Sequence, residues 1–178
     1  MVGKYQIPVA DCGVTLTDFN NNHGEAIAIG ERTPLAIVNP QAAARMAVAE
    51  AITNIISADI TSLRDIKLSA NWMVASGDDQ EDLSLYQSVK AIGEDFCPKL
   101  GISIPVGKDS MSMRTHWNGI EVKAPVSLII SAFAPVNNVH KSLTPELCLK
   151  DADNTELWLF DFSVFLSSSS DNLLSGTI

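Results

Sequence analysis

The sequence predicts an α+β fold, because two long helical segments are set among about four main extended segments rich in β-branched residues. The first helical segment, residues 40–60, begins at a proline and then runs without Gly or Pro through an Ala-rich stretch. The second follows the acidic loop at residues 77–82 and ends near residue 100, where Gly101 is typical of a helix C-terminus. These elements predict a sheet covered by the two helices on one face.

Composition excludes several classes of protein. Of the 178 residues, 46% are apolar and 19% are charged, which is typical of one globular domain, or of one domain with part of a second. The net charge of −9 and the lack of a Lys/Arg cluster argue against binding to nucleic acid or to a membrane surface. A nucleotide ligand stays possible, because Mg²⁺ supplies the positive charge that phosphates require.

The three cysteines give no covalent or metal framework. Cys12, Cys97 and Cys148 are odd in number, far apart and without neighbouring histidines, so neither a disulfide scaffold nor a zinc site is predicted. No signal peptide is recognised, and the apolar runs are too short to span a bilayer. A cytoplasmic location is the expectation from these observations.

The N-terminal part is predicted to contain two strands. Residues 5–17 form an extended segment, residues 18–24 a polar turn and residues 25–29 a second strand, followed by a loop from Gly30. Asp11 lies inside the first segment, although Asp is disfavoured in strand interiors. Two interpretations are open: a functional carboxylate, or a bulge or edge position with the side chain in water.

The first helix carries the clearest candidate for a metal site. Its predicted apolar stripe consists of Ala42, Met46, Ala49, Ile52 and Ile56. Glu50 and Asn54 lie one turn apart on another side, among alanine methyl groups, and such an oxygen pair suits Mg²⁺. The alternative is an ordinary helix on which Glu50 forms a salt bridge or reaches the helix edge.

The central part continues with a strand, a loop and the second helix. Residues 65–68 are predicted to be a strand, and residues 69–73 a polar loop at its end. The second helix is predicted to bury the stripe Leu83, Tyr86, Val89, Phe96 and Leu100.

A strand at residues 102–106 leads into a Gly-Lys-Asp-Ser turn. The spacing is not that of a phosphate-binding P-loop, because five residues separate Gly101 from Gly107 and an Asp follows the lysine. Lys108, Asp109 and Ser110 nevertheless place a cation, a carboxylate and a hydroxyl side by side. The alternative is a polar turn with a local Lys–Asp pair.

The C-terminal part begins with a hairpin and a buried strand. Asn118-Gly119 predicts a tight turn between residues 111–117 and 120–123, and residues 126–134 form a nearly continuous apolar run. A polar turn at residues 151–155 precedes a further predicted strand at residues 156–162. Residues 163–178 contain four consecutive serines and no clear period, and are predicted to be a tail unrelated to the fold or disordered.

Six blocks of the sequence together carry a resemblance to a known family: IPVADCGVT, GEAIAIGERTPLA, AARMAVAEAITN, IKLSANWM, FCPKLGISIPVGKDSMSM and APVSLIISAFAPV, at residues 7–15, 24–36, 43–54, 66–73, 96–113 and 124–136. In this order they resemble the large, single-chain phosphoribosylformylglycinamidine synthase of purine biosynthesis, most closely its bacterial form. The resemblance spans residues 5–162 without a gap. It implies the first domain of the second synthetase half, with an aminoimidazole-ribonucleotide-synthetase-like fold of about four strands in a mixed or antiparallel sheet.

The resemblance also implies functional residues. Asp11, Glu50 and Asn54 match three Mg²⁺ ligands of a site that holds an auxiliary ADP which is not turned over, so no catalytic residue is expected. Ala10 matches a position whose backbone contacts that nucleotide. The family enzyme uses ATP and glutamine to convert formylglycinamide ribonucleotide to the amidine.

Lys108, Asp109 and Ser110 lie in a matched block, and we assign them to the nucleotide-binding group without individual contacts. The remaining domains of the family enzyme, including the glutaminase domain with its nucleophilic cysteine, have no counterpart in the sequence. The expectation is therefore a truncated internal fragment, residues 1–162, that is inactive alone.

Two further functions are alternatives. One is a stand-alone, non-catalytic nucleotide-binding or dimerisation module of the same superfamily. The other is a related small synthetase of the selenophosphate or thiamine-phosphate type. In the family the sheet pairs with that of a sister half, so the isolated domain is expected to associate with the remaining domains or with itself through the sheet.

Overall fold

A computed structural model describes residues 10–144, 156 and 158–160 of the chain. The chain divides into two compact units, Met1–Pro145 and Glu146–Ile178. Among the described residues, no helix is both long enough and apolar enough to cross a membrane.

The first unit contains a mixed five-stranded sheet and a separate two-stranded sheet, which confirms the predicted α+β class. The strands of the large sheet are β1 (Gly13–Leu16), β2 (Gly24–Glu31), β3 (Lys67–Met73), β4 (Ser103–Ser110) and β7 (Ser127–Val136). The two short strands are β5 (Arg114–Trp117) and β6 (Ile120–Lys123). The large sheet has the order β1-β2-β7-β3-β4, and every neighbouring pair is antiparallel except β3 and β4, which are parallel.

The two faces of the sheet differ in burial. Along β2, burial alternates at every residue, with the small residues Ala26, Ala28 and Gly30 buried and Ile27 and Ile29 exposed. One face therefore packs against the helices through small side chains, while the other face presents large apolar side chains to solvent.

The first helix, α1 (Pro40–Ile55), begins as predicted and ends five residues earlier than predicted. Its N-terminus is capped by Asn39, whose side chain accepts a hydrogen bond from the Ala42 N–H at 2.9 Å. At the other end the Ser57 hydroxyl donates to the Asn54 carbonyl at 2.7 Å, and the chain then turns away.

The predicted apolar stripe on α1 is largely wrong, although Ile52 packs against the core. Met46 is 38% exposed and Ile56 is 49% exposed. The buried face is instead made of Ala43, Ala44, Ala47, Val48, Ala51 and Ile55. The reason is close packing: the helix lies so near the β2 backbone that only small side chains fit along most of the contact.

The second helical segment is interrupted. It consists of α2 (Asp79–Lys90), a π-helical turn (Ala91–Phe96) and α3 (Cys97–Leu100), and Gly101 ends it with a φ of +68°, as predicted. The π turn precedes Pro98, which has no N–H to donate and whose ring crowds the preceding turn.

The predicted stripe on this segment is largely wrong. Leu83, Tyr86 and Val89 are 44–61% exposed, whereas Phe96 and Leu100 pack against the core. The segment buries a different side, which carries Leu85, Ser88, Ala91 and Ile92, and it packs against α1.

Three predicted loops are strand. Residues 69–73 belong to β3, residues 107–110 to β4, and Gly30 and Glu31 to β2. Polar side chains suggested loops, but the pairing of β3 with β4 continues as far as Met73 and Ser110. The side chains of both strands alternate across the pleat. At Gly107 a Cβ atom would lie 2.5 Å from the Ala70 carbonyl oxygen, so glycine permits this close strand pairing.

The predicted hairpin is confirmed. Asn118 and Gly119 have φ values of +50° and +78°, and they connect β5 to β6 in antiparallel register. The buried strand predicted at residues 126–134 is also confirmed, as β7.

In the second unit, Glu156 and residues 158–160 are described and none of them lies in a strand, so the strand predicted for residues 156–162 is wrong at these positions. The Trp158 and Phe160 rings stack with centroids 6.4 Å apart. The predicted turn at residues 151–155 and the tail at residues 163–178 lie outside the described residues.

Candidate functional site

The candidate site lies where α1 crosses β2. A Cβ atom on Gly30 would lie 2.2 Å from the Ala47 carbonyl oxygen and 2.4 Å from the Ala51 nitrogen. Glycine at this position therefore lets the helix backbone rest directly on the strand. Glu50 and Asn54, one turn apart on α1, consequently reach the strand backbone.

Both side chains bind the β2 backbone. The Glu31 N–H donates to Glu50 Oε2 at 2.8 Å, and Asn54 Nδ2 donates to the Ile29 carbonyl oxygen at 2.9 Å. The β1 ladder ends at the pair Gly13–Ile27, so it does not extend along this part of β2. Glu50 and Asn54 thus supply hydrogen bonds at a strand edge that β1 leaves uncovered.

Each side chain keeps one oxygen that does not bind β2. Glu50 binds Glu31 through Oε2 and Asn54 binds Ile29 through its nitrogen, and among residues 10–144 neither Glu50 Oε1 nor Asn54 Oδ1 accepts a hydrogen bond. The contact to β2 also fixes the orientation of both groups. The salt bridge that the alternative interpretation allowed for Glu50 does not form within the described part of the chain.

Asp11 lies just before β1, the edge strand that pairs with β2. It is exposed and occupies a bend two residues before that strand begins. The next residue, Cys12, is buried, and its Sγ lies 3.1 Å from Ser57 Oγ just beyond the end of α1. Half-buried Ala10 precedes Asp11.

The donor set has the chemistry of a hard-cation site. Two carboxylates and one amide oxygen are the ligands that Mg²⁺ takes from proteins, with water and phosphate in its other positions. No group of three or more His, Cys, Asp or Glu side chains in the described ranges is arranged to hold a metal ion. The predicted set contains two such residues and an asparagine, and it stays a prediction.

Lys108, Asp109 and Ser110 lie elsewhere, on β4 at the opposite edge of the sheet. Two strands separate β4 from β2, a distance of roughly 14 Å at the usual strand spacing. Lys108 Nζ donates to Ser110 Oγ at 2.9 Å, so lysine and serine share one face, while alternation turns Asp109 to the other. The local Lys–Asp pair of the alternative interpretation is not among the ion pairs of residues 10–144.

Glu31 is a site residue that sequence reasoning missed. Its backbone N–H holds Glu50, and its own carboxylate accepts hydrogen bonds from the Thr33 hydroxyl at 2.8 Å and the Thr33 N–H at 3.2 Å. The Thr33 hydroxyl and backbone hold the pKa of the Glu31 carboxyl below its usual value. The signal in the sequence was Gly30, whose lack of a side chain permits the helix contact.

A protein-family model matches the sequence of most of the chain. The model of the FGAR-AT PurM_N-like domain matches residues 1–135. The chain belongs to this family. The resemblance to phosphoribosylformylglycinamidine synthase described above is therefore confirmed at the level of the domain family.

Solved structures share the fold. The structures of Thermotoga maritima PurL complexed with ATP, with ADP and with FGAR match with TM-scores of 0.57, 0.58 and 0.57, each at 19% sequence identity. Each match covers 76% of this chain and 20–22% of PurL, so the chain spans about a fifth of the length of those proteins.

Proposed function

We propose that this chain is a domain of a phosphoribosylformylglycinamidine synthase and contributes a magnesium–nucleotide site built on Asp11, Glu50 and Asn54. The observation that carries this proposal is how Glu50 and Asn54 on α1 use their polar side-chain atoms. Each is fixed to β2 through one atom and keeps one oxygen that does not bind β2, beside the strand edge that β1 leaves uncovered. Matches to PurL structures holding ATP and ADP support the assignment.

In this proposal Mg²⁺ supplies the positive charge that draws a di- or triphosphate to an acidic chain. The net charge of −9 disfavours the direct approach of a polyphosphate. The chain's own contribution is orientation: the Glu31 N–H and the Ile29 carbonyl hold Glu50 and Asn54 before any ligand arrives. The Ala10 backbone is proposed to contact the nucleotide.

Lys108, Asp109 and Ser110 form a separate proposed contact group. The ammonium group of Lys108 and the hydroxyl of Ser110 lie together on one face of β4 and suit a phosphate or another polar part of a ligand. Their place at the far edge of the sheet separates them from the Mg²⁺ ligands, so a single phosphate group does not reach both.

The reaction is proposed for the whole enzyme. ATP-dependent transfer of nitrogen from glutamine to formylglycinamide ribonucleotide, in the cytoplasm, would require the remaining domains, and this domain would hold an auxiliary ADP without catalysing a step. The match to PurL complexed with FGAR supports this assignment.

The exposed sheet face is proposed to be the contact surface for those domains or for a second copy. Ile27, Ile29, Val106 and Phe133 lie on this face and are 43–61% exposed in this unit. Large apolar side chains exposed on a sheet face are typical of a surface that packs against a partner. If the chain acts as a stand-alone module, this face is proposed to join two copies of it.

The test is calorimetric titration of ADP into the purified chain with and without Mg²⁺, for the wild type and Glu50→Gln. The Glu50→Gln variant retains an oxygen for the Glu31 N–H but replaces the second oxygen with an amide nitrogen. The strand contact should survive while the metal ligand is lost. We expect Mg²⁺-dependent ADP binding in the wild type and at least tenfold weaker binding in the variant, roughly the effect of losing one orienting or ligating group.

Glu94→Gln is the matched control, because Glu94 lies on the helical segment away from β2 and pairs with Lys90. It removes the same charge and should bind Mg-ADP like the wild type. Equal binding by Glu50→Gln and the wild type would show that Glu50 is only a strand contact. Failure of the wild type to bind ADP in the presence of Mg²⁺ would overturn the proposed nucleotide site.

A further inference from the structure

A buried chain of hydrogen bonds connects the segment that carries Asp11 to the helix that carries Asn54. Cys12 Sγ lies 3.1 Å from Ser57 Oγ, and Ser57 Oγ lies 2.7 Å from the Asn54 carbonyl oxygen. Cys12 is 6% exposed and Ser57 is 8% exposed, so water does not readily replace these contacts.

The direction of the hydrogen bonds follows from the donors available. The Asn54 carbonyl only accepts, so the single Ser57 hydroxyl hydrogen is directed to it. The hydrogen between Cys12 and Ser57 must then come from the thiol, and Ser57 Oγ accepts it. The order is Cys12 S–H to Ser57 O–H to Asn54 C=O.

This connection matters because Asp11 is not held by the sheet. Residues 11 and 12 form a bend, and the β1–β2 ladder begins only at Gly13. The Cys12 side chain is therefore the anchor of the peptide that carries Asp11. Ser57 joins that anchor to the last turn of α1, since it lies two residues after Ile55 and three residues after Asn54.

We infer that Ser57 and Cys12 are positioning residues that set the spacing between Asp11 and the pair Glu50 and Asn54. The inference rests on the proposed function, since it concerns the same site. Neither residue contacts the ligand. Removing the Ser57 hydroxyl leaves the Cys12 thiol without an acceptor and releases the Asp11 segment. The affinity for Mg²⁺ should therefore fall, and not only the affinity for the nucleotide.

The experiment compares Ser57→Ala with Ser88→Ala in the full chain. Ser88 is 2% exposed, and its hydroxyl donates to the Pro40 carbonyl at 3.0 Å, at the opposite end of α1. Both variants lose one buried hydroxyl bound to a carbonyl of the same helix, so their losses of stability should be similar. Only Ser57→Ala should change the metal site.

The first measurement is the Mg²⁺ concentration that half-saturates binding at a fixed ADP concentration. Ser57→Ala should raise it about tenfold, whereas Ser88→Ala should leave it unchanged. Cys12→Ser, which keeps a donor to Ser57, should bind like the wild type, and Cys12→Ala should behave like Ser57→Ala. An unchanged Mg²⁺ requirement in Ser57→Ala, with wild-type binding intact, overturns the positioning role and leaves the proposed function standing.

The second measurement does not depend on activity. Alkylation of Cys12 by iodoacetamide, followed by peptide mass spectrometry, should be slowed by Mg²⁺ with ADP in the wild type and in Ser88→Ala. In Ser57→Ala that protection should be lost. Equal protection in all three proteins contradicts the inference, and a wild type that binds no Mg-ADP overturns both the site and the positioning role.

Discussion

Replacement of Gly30 by alanine should separate α1 from β2 and release both candidate ligands on the helix. The new Cβ atom would lie 2.2 Å from the Ala47 carbonyl oxygen, 2.4 Å from the Ala51 nitrogen and 3.0 Å from the Ala51 Cα. All three neighbours are backbone atoms, so no side-chain rotation relieves the overlap. The helix itself must move by about an ångström or more to reach ordinary van der Waals contact.

The magnitude has two parts. Insertion of a methyl group into a packed contact costs about 1–3 kcal/mol. The displacement also stretches the hydrogen bond from the Glu31 N–H to Glu50 and that from Asn54 to Ile29, which together contribute about 2 kcal/mol. We expect the free energy of unfolding to fall by about 3–5 kcal/mol, with weaker Mg-ADP binding.

Urea denaturation followed by circular dichroism measures this change, with Gly93→Ala as the matched control. A Cβ atom on Gly93 meets no atom within 4 Å, and the residue lies in a helical segment, so alanine there should be neutral or stabilising by up to about 1 kcal/mol. If Gly30→Ala loses less than about 1 kcal/mol, the close contact of α1 with β2 is not as described.

Two further predictions concern acid stability and association. The hydrogen bond from Lys123 holds the pKa of Asp78 below its usual 3.8. The stability that this carboxylate contributes is therefore present above pH 3.8 and is lost as the pH falls through the lower pKa of the folded state. Asp78→Asn should therefore show a shallower loss of stability than the wild type below about pH 4 in acid titrations of unfolding, and identical curves would contradict this. Phe133→Glu on the exposed sheet face should reduce self-association measured by light scattering. Leu83→Glu is the control and should not reduce it, because Leu83 is also apolar and exposed but lies on the outer side of α2. Equal effects of the two substitutions would exclude the sheet as the contact surface.

Local signals in the sequence predicted the positions where one residue decides the backbone. Pro40 marked the start of α1, Gly101 the end of the second helical segment, and Asn118-Gly119 the hairpin turn. Each works through its own covalent structure: a fixed φ, or tolerance of a positive φ. Such signals do not depend on what lies opposite in the fold.

The burial of α1 was not predictable by the same means. A stripe of large apolar residues normally marks the inner face, but here Met46 and Ile56 face outward and alanines face inward. The cause is Gly30, which lies in a different element and lets α1 approach so closely that mostly small side chains fit along the contact. Similarly, polar residues after Leu68 suggested a loop, whereas pairing with β7 and β4 on both sides of β3 makes them strand.

The candidate site was predictable in part. The pair Glu50 and Asn54 followed from helical spacing, and the structure brings both to one strand edge. The hydrogen bonds of the Glu50 and Asn54 side chains to the β2 backbone were not predictable, because they require the tertiary contact at Gly30. Lys108 and its neighbours could not be placed relative to this pair before the strand order was known.

The most direct test of the magnesium site is paramagnetic broadening of backbone amide signals by Mn²⁺, which takes the same oxygen ligands as Mg²⁺. Substoichiometric Mn²⁺ with ADP, added to the isotopically labelled chain, should broaden the amides of Asp11, Glu31 and Asn54 first, and excess Mg²⁺ should restore them. The hairpin amides, Arg114–Trp117, should stay sharp. Broadening centred away from the α1–β2 contact, or broadening that Mg²⁺ does not reverse, would contradict the magnesium site proposed for this domain.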